Sequence, residues 1–201
     1  MPRKPLILAS TSAFRRELLA RLGLPFGTAS PNVDEQALAG ESADQLVLRL
    51  AETKAKAVAA QHPDALIIGS DQVASIDGSL LGKPGNRARA IQQLECASGR
   101  TALFHTGLCL LDPGSGRTQT HCEPFKVHFR TLTRSQIEAY LDREQPFGCA
   151  GSFKSEGLGI ALFERLEGSD PNALIGLPLI RLIDMLAHEG VDVLRSGGTS
   201  D

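Results

Sequence analysis

Ser10, Ser12, Arg15 and Arg16 fall within seven residues, directly after the apolar run Leu6-Ile7-Leu8-Ala9. The run reads as a short buried strand, and apolar Leu18, Leu19 and Leu22 mark a helix behind it. A strand that turns into a helix N-terminus presents free backbone N–H groups and the positive end of a helix dipole. Two hydroxyls and two guanidinium groups at that point make a grip for an anion, above all phosphate. Phe14 interrupts this polar series, and a phosphate grip has no use for an aromatic ring. The competing reading is a serine-capped amphipathic helix with solvated arginines and Phe14 in the core.

A second group with chemical potential is Gly69-Ser70-Asp71-Gln72, between the apolar runs Leu66–Ile68 and Val73–Ile76. A carboxylate set in the middle of a strand loses its hydration unless a cation offsets the cost. Asp71 could bind a divalent ion through a hard oxygen or take a proton from water. The alternative is a bulge or strand end, because Gly-Ser-Asp favours turns. Asp77-Gly78 signals a hairpin, which would return Lys83 to the neighbourhood of Asp71. Glu35 follows a strand and Lys54 lies on the next helix; alone, each reads more readily as a solvated surface charge than as a ligand. A third group, Gly151 to Gly159, combines three glycines with Ser152, Ser155 and Glu156. Glycines allow a backbone to approach a ligand closely. The Glu156 oxygens could accept the N1 and N2 protons of a guanine edge. A solvated loop with a salt bridge explains that stretch equally well.

The elements that must position these groups alternate along the chain. A strand and loop span Pro25 to Glu35, and a helix runs from about Ser42 to Gln61. After the Asp77-Gly78 hairpin comes a helix from Arg87 to Ala97, ended by Gly99. Thr101–Leu111 and Thr118–Phe129 read as a hairpin around Asp112 to Gly116. A short helix over Ser135–Arg143 opens on a Thr133 or Ser135 cap, with Glu138 placed for a capping box. Cys149–Phe153 and Leu158–Arg165 are expected as strands around the glycine-rich bend, and Leu177 to His188 as the final helix. Strands alternating with helices around a central hairpin predict an α/β fold with a mixed sheet.

Composition narrows the classes. The 201 residues suit one domain with an ordinary core, and a net charge of −2 argues against a nucleic-acid or membrane binder. Met1 to Pro5 precede a run too short for a signal peptide, so the expected compartment is the cytoplasm. Cys96, Cys109, Cys122 and Cys149 are scattered without a C-x-x-C pair, which disfavours a disulfide framework or a zinc site. The five histidines show no ligand spacing, although His121 and Cys122 adjoin and His128 follows. The Gly/Ser/Thr-rich stretch over residues 195–201 is expected to be a mobile tail.

Taken together, the motifs resemble the Maf family of nucleotide pyrophosphatases along nearly the whole chain. The matching pieces are Leu8-Ala9-Ser10-Thr11-Ser12 with Arg15-Arg16 and Leu18-Leu19, then Val33-Asp34-Glu35, then Leu50-Ala51 with Lys54-Ala55. Gly69-Ser70-Asp71, Gly82-Lys83-Pro84 and Gly176-Leu177-Pro178-Leu179 follow in order. Within the family the chain is similar to the YceF-type branch, whose members hydrolyse 7-methyl-GTP to the monophosphate and pyrophosphate. Phe14 stands where pyrimidine-specific relatives carry arginine, Gln72 replaces a threonine, and Glu156 replaces a glutamine. Branch members often carry tryptophan at the position of Phe14, and Ala13 replaces a frequent proline.

The resemblance implies a mixed twisted sheet flanked by helices, related to inosine triphosphate pyrophosphatase-type folds, with a deep cleft. It implies a single domain over residues 1–194. Asp71 would be the catalytic base, and Phe14, Gln72 and Glu156 would select the base of the nucleotide. Ser10, Ser12, Arg15, Lys54 and Lys83 would hold the phosphates, and Glu35 with Asp71 would hold Mg²⁺ or Mn²⁺. The implied partner is a small nucleotide, with neither nucleic acid nor membrane, and the family suggests a homodimer. The role would be to keep modified nucleotides out of nucleic acids. The alternatives are a pyrophosphatase for pyrimidine or other modified nucleotides, and a nucleotide-binding regulator of cell division. N7-methylation makes guanine cationic, and a cation over an aromatic face gains about 0.5–2 kcal/mol. An aromatic ring and a carboxylate therefore suit 7-methylguanine better than a pyrimidine.

Overall fold

A computed structural model describes residues 4–195. The expected tail therefore lies outside the described residues except for Arg195, whose N–H donates to Asp192. Strand β1 (Leu6–Ala9) leads into helix α1 (Ala13–Ala20), and β2 (Phe26–Ala29) leads through a loop to α2 (Ala43–Ala59). Strand β3 (Leu66–Ile76) turns at Asp77-Gly78 into the short β4 (Ser79–Leu81), and α3 (Arg87–Ala97) follows. The hairpin β5 (Thr101–Asp112) and β6 (Arg117–Phe129) precedes α4 (Arg134–Glu144). The chain ends with β7 (Phe163–Gly168), α5 (Pro171–Ile175) and α6 (Leu179–His188).

The seven strands form one mixed sheet in the order β2-β1-β3-β5-β6-β7, with β4 paired to β3. β1 runs parallel to both β2 and β3, while β3–β5, β5–β6 and β6–β7 are antiparallel. Both faces of the central strands are covered, which is why they read as continuous apolar runs. Leu6, Leu8, Leu66 and Ile68 pack against α1 and α6. Ile7, Ala9 and Ile67 point the other way, against Ala51, Ala55 and Val58 of α2. The far half of the first face is covered by Ile91 and Leu94 of α3 and Ile137 and Leu141 of α4.

Two glycines set how closely α2 lies on the sheet. A Cβ at Gly69 would stand 2.0 Å from the Ala51 carbonyl oxygen, and one at Gly107 would stand 2.1 Å from that of Val47. Gly69→Ala should therefore displace the helix backbone and destabilise the protein by about 1–3 kcal/mol or more. An unchanged urea midpoint in that variant would refute this account of the packing.

Three local expectations differ from the structure. Cys149–Phe153 is not a strand: Gly151 (φ +70) and Ser152 (φ +64) adopt left-handed conformations, and Ala150–Ser152 forms a 3₁₀ turn. Leu158–Leu162 is likewise a 3₁₀ turn, and extension begins only at Phe163. The capping box of α4 pairs Thr133 with Gln136, whereas Glu138 bonds Arg134.

Candidate active site

Where β1 ends, the sheet has a gap. β1 pairs with β3 only as far as Ile68, and β4 pairs with it only from Ala74. Among the described residues, Gly69 to Val73 therefore have no strand on that edge, while the β5 side runs in unbroken register from Ile67 to Ser75. Asp71 sits within a continuous strand and not in a bulge. The open edge lies beyond the carboxyl end of β1, the position at which α/β sheets commonly bind ligands. A pocket of about 590 Å³ occupies it.

Alternation along β3 distributes three neighbours to opposite faces. Asp71 points toward α2, where Lys54 Nζ lies 2.6 Å from its Oδ1. The same ammonium lies 2.6 Å from Glu35 Oε1. Lys54 is only 4 % exposed, so this buried cation is compensated by two carboxylates from separate segments. Burial by itself would raise the Glu35 carboxyl. The Lys54 hydrogen bond and charge, followed by Lys83 and Arg15, outweigh it and hold the group below its usual value. A carboxyl depressed in this way stays ionised to lower pH, and its attraction for Lys54 is lost only as pH falls through the lowered value. Lys54→Met should raise the Glu35 pKa, which a carbon-13 NMR titration of its carboxyl would follow. An unmoved titration would contradict the assigned cause.

Ser70 and Gln72 face the other way and tie down α5 and the residue after it. Ser70 Oγ donates to the Gly176 carbonyl at 2.9 Å, and Gln72 Nε2 donates to the Ala173 carbonyl at 2.7 Å. Thr106 Oγ donates to Ala173 as well, and Asp170 caps the helix through the Asn172 N–H. The Gln72 amide nitrogen is thus committed to protein carbonyls, although the residue lines the pocket.

The β1–α1 turn supplies the opposite wall. Ser10 Oγ accepts from the Ser12 N–H at 3.1 Å, and Ser12 Oγ accepts from the Arg15 N–H at 3.4 Å as the cap of α1. Each hydroxyl retains its O–H to donate. Arg15 Nε donates to the Gly176 carbonyl at 2.9 Å, which aims the guanidinium along the pocket. Burial lowers the Arg15 pKa, and the carboxylates of Asp71 and Glu35 partly offset this. Arg16 is exposed and outside the lining, which corrects its place in the expected anion grip. Phe14 is half-buried and lines the pocket, so it is not a core residue.

Lys83 and Glu156 line the same pocket. Glu156 sits between the two 3₁₀ turns, on a segment held mainly by α4. Glu144 accepts from the Leu158 N–H at 2.9 Å and pairs with Lys154 at 3.3 Å, while Tyr140 Oη accepts from the Lys154 N–H. Gly159 lets this segment fold onto itself, since a Cβ there would meet the Lys154 carbonyl oxygen at 2.2 Å. The ten residues to which the family resemblance gives a role (Ser10, Ser12, Phe14, Arg15, Glu35, Lys54, Asp71, Gln72, Lys83 and Glu156) all line this one pocket, whereas Arg16 does not. The supporting residues Thr106, Tyr140, Glu144 and Asp170 escaped sequence reasoning, and Ser70 stood out only as a neighbour of Asp71, not as an anchor for Gly176. Only Asp170-Pro171, a cap followed by proline at the first helical position, carried a local signal.

Residues 5–189 match the family described as Maf-like protein. The chain belongs to the Maf family. Several Maf relatives are similar over almost their full length. One from Vibrio vulnificus, named 7-methyl-GTP pyrophosphatase, is 59% identical over 94% of this chain and 97% of its own. Relatives of the same name from Pseudomonas aeruginosa and Alcanivorax borkumensis are 58% and 60% identical, each over 94% of this chain. They are covered over 98% and 95% of their own lengths. Every pocket residue of this Maf chain falls inside the matched region. Among the described residues, no helix is long and apolar enough to cross a membrane.

Proposed function

We propose that this chain is a cytoplasmic nucleoside triphosphate pyrophosphatase that converts 7-methyl-GTP to 7-methyl-GMP and pyrophosphate. A single domain over residues 1–194 would carry the activity, and its role would be to keep modified nucleotides out of nucleic acids. One observation carries the reading: a single pocket combines a phosphate-type wall with an aromatic ring and the Glu156 carboxylate. The names of the close relatives agree with it.

Ser10 and Ser12 donate hydroxyl hydrogens to the triphosphate, and Arg15, Lys54 and Lys83 supply positive charge. The first N–H groups of α1 add donors, so negative charge meets preorganised dipoles as it develops. Asp71 takes the proton of the attacking water; the bond between the α- and β-phosphates breaks, and pyrophosphate leaves. Phe14 packs on the cationic base and Glu156 accepts its N1 and N2 protons. Gln72 acts on selectivity by fixing α5 against the pocket.

Glu35 and Asp71 each meet Lys54 through one oxygen, which leaves the second oxygens as hard donors suited to Mg²⁺ or Mn²⁺. Such an ion, held chiefly by Glu35, would neutralise charge developing on the phosphates. Asp71 is then left to serve as the base.

A nucleotide panel with product identification and metal omission tests the proposal. The fastest turnover should be of 7-methyl-GTP, with pyrophosphate as product and loss of rate when divalent ions are chelated. Faster turnover of dTTP or UTP at equal concentration would make it a pyrimidine enzyme. Long-lived bound nucleotide without pyrophosphate release would make it a regulator.

A further inference from the structure

Outside the nucleotide pocket, Asp44, His105 and Cys122 place one ligand atom each within 4.8 Å of the others. We infer that these three residues form a second metal site, for one transition-metal dication of the Zn²⁺ class. None of the three lines the nucleotide pocket.

The site is assembled by the same features that position Lys54. In the β5–β6 register His105 faces Pro124 and Gly107 faces Cys122, so His105 and Cys122 are diagonal neighbours on one face. Helix α2 crosses that face closely because Gly107 has no side chain, and Asp44 lies in its first turn. The Asp44 carboxylate accepts from His105 Nδ1, and Cys122 Sγ lies 3.6 Å from the same Oδ1. Tetrahedral zinc, with bonds of about 2.0–2.3 Å to oxygen, nitrogen and sulfur, separates its ligands by roughly 3.3–3.6 Å. The sulfur–oxygen separation already has that value, whereas the imidazole and carboxylate must move out of direct hydrogen-bond contact to reach it.

The remote nitrogen of His105 is engaged as well. His105 Nε2 lies 3.3 Å from Ser75 Oγ, which also reaches the Leu103 carbonyl at 3.4 Å. Metal-bound histidines commonly engage their remote nitrogen in this way, which fixes the ring with the other nitrogen toward the ion. His105 is 8 % exposed, whereas the Asp44 side chain is 61 % exposed. The ion would thus have a rigid inner wall, an entry path and room for water as fourth ligand. A thiolate, an imidazole and one carboxylate favour Zn²⁺ or Co²⁺ over Mg²⁺, which selects oxygen. On binding, the Cys122 S–H bond breaks, its proton leaves to water, and a metal–sulfur bond forms. The ion would then pin the first turn of α2 to the hairpin.

Cobalt serves as the probe, because a Co²⁺–thiolate bond gives a charge-transfer absorption that oxygen ligands do not. The reduced full chain should bind one equivalent of Co²⁺ with that band, and excess Zn²⁺ should abolish it. Glu35→Gln should keep the band, which separates this site from the nucleotide pocket, and Cys122→Ser should lose it. Ser75→Ala, which leaves all three ligands, should weaken Zn²⁺ binding by about 10–100-fold. Circular dichroism of each variant establishes that it is folded. Absence of the band from the unaltered chain, or its persistence in folded Cys122→Ser, overturns the site. Three hydrogen-bonded side chains without a metal would then be all that the cluster is.

Discussion

Asp71→Asn is expected to slow pyrophosphate release from 7-methyl-GTP by about 10²–10⁴-fold, the usual contribution of a positioned general base. The amide oxygen of asparagine can still accept from Lys54 Nζ, which now lies 2.6 Å from Asp71 Oδ1. The cation therefore keeps its place, and the phosphate grip at Ser10, Ser12 and Arg15 is untouched. The loss should fall on kcat with KM nearly constant, as for a group that acts mainly in the transition state. A variant that kept most of its turnover would remove Asp71 from the role of base.

The second large effect concerns selection of the base. Phe14 and Glu156 come from segments some 140 residues apart and line one pocket. Phe14→Ala should lower kcat/KM for 7-methyl-GTP by roughly 2–30-fold, the equivalent of about 0.5–2 kcal/mol of cation–π attraction. Glu156→Gln keeps the shape but removes the charge opposite the cationic base. A hydrogen bond to a charged group contributes about 1.5–3 kcal/mol, so roughly a 10–100-fold loss is expected. Phe14→Ala should cost unmethylated GTP less, because its base is not cationic, and neither change should cost UTP as much, because uracil has neither the charge nor the paired N1 and N2 donors. Equal losses on all three nucleotides would show that these side chains only shape the pocket.

A hydrogen bond from Gln72 to α5 shows how a single residue looks different in sequence and in space. From sequence, Gln72 is a substitution beside Asp71 and so a candidate for contact with the base. In the fold its amide nitrogen binds the carbonyls of Ala173 and Leu174, and its effect on the ligand passes through α5. The metal cluster is a similar case. Its ligands sit on α2, β5 and β6, separated by 61 residues between Asp44 and His105. No spacing rule along the chain could join them.

What the sequence determined by itself is local. Alternation and apolar runs set β1, β3 and the β5–β6 hairpin, and serine, asparagine and threonine caps set the starts of α1 to α4. These signals are legible because hydrogen bonds to neighbouring N–H groups and the choice of buried face are settled within a few residues. The motif residues themselves were legible as types: hydroxyls and arginine before a helix, a carboxylate inside a strand. The segment from Cys149 to Leu162 was misread because apolar residues suit either a strand or a compact turn. The left-handed Gly151 and Ser152, and the hold of Glu144 and Tyr140, decided for the turn. Only the tertiary structure decided that Glu35 and Asp71 share Lys54, because that depends on the open edge of β3 and the close approach of α2 over Gly69. The β1–α1 turn, Lys54 and Glu156 thus meet where β1 stops pairing, a position set by strand order and not by any one stretch of chain.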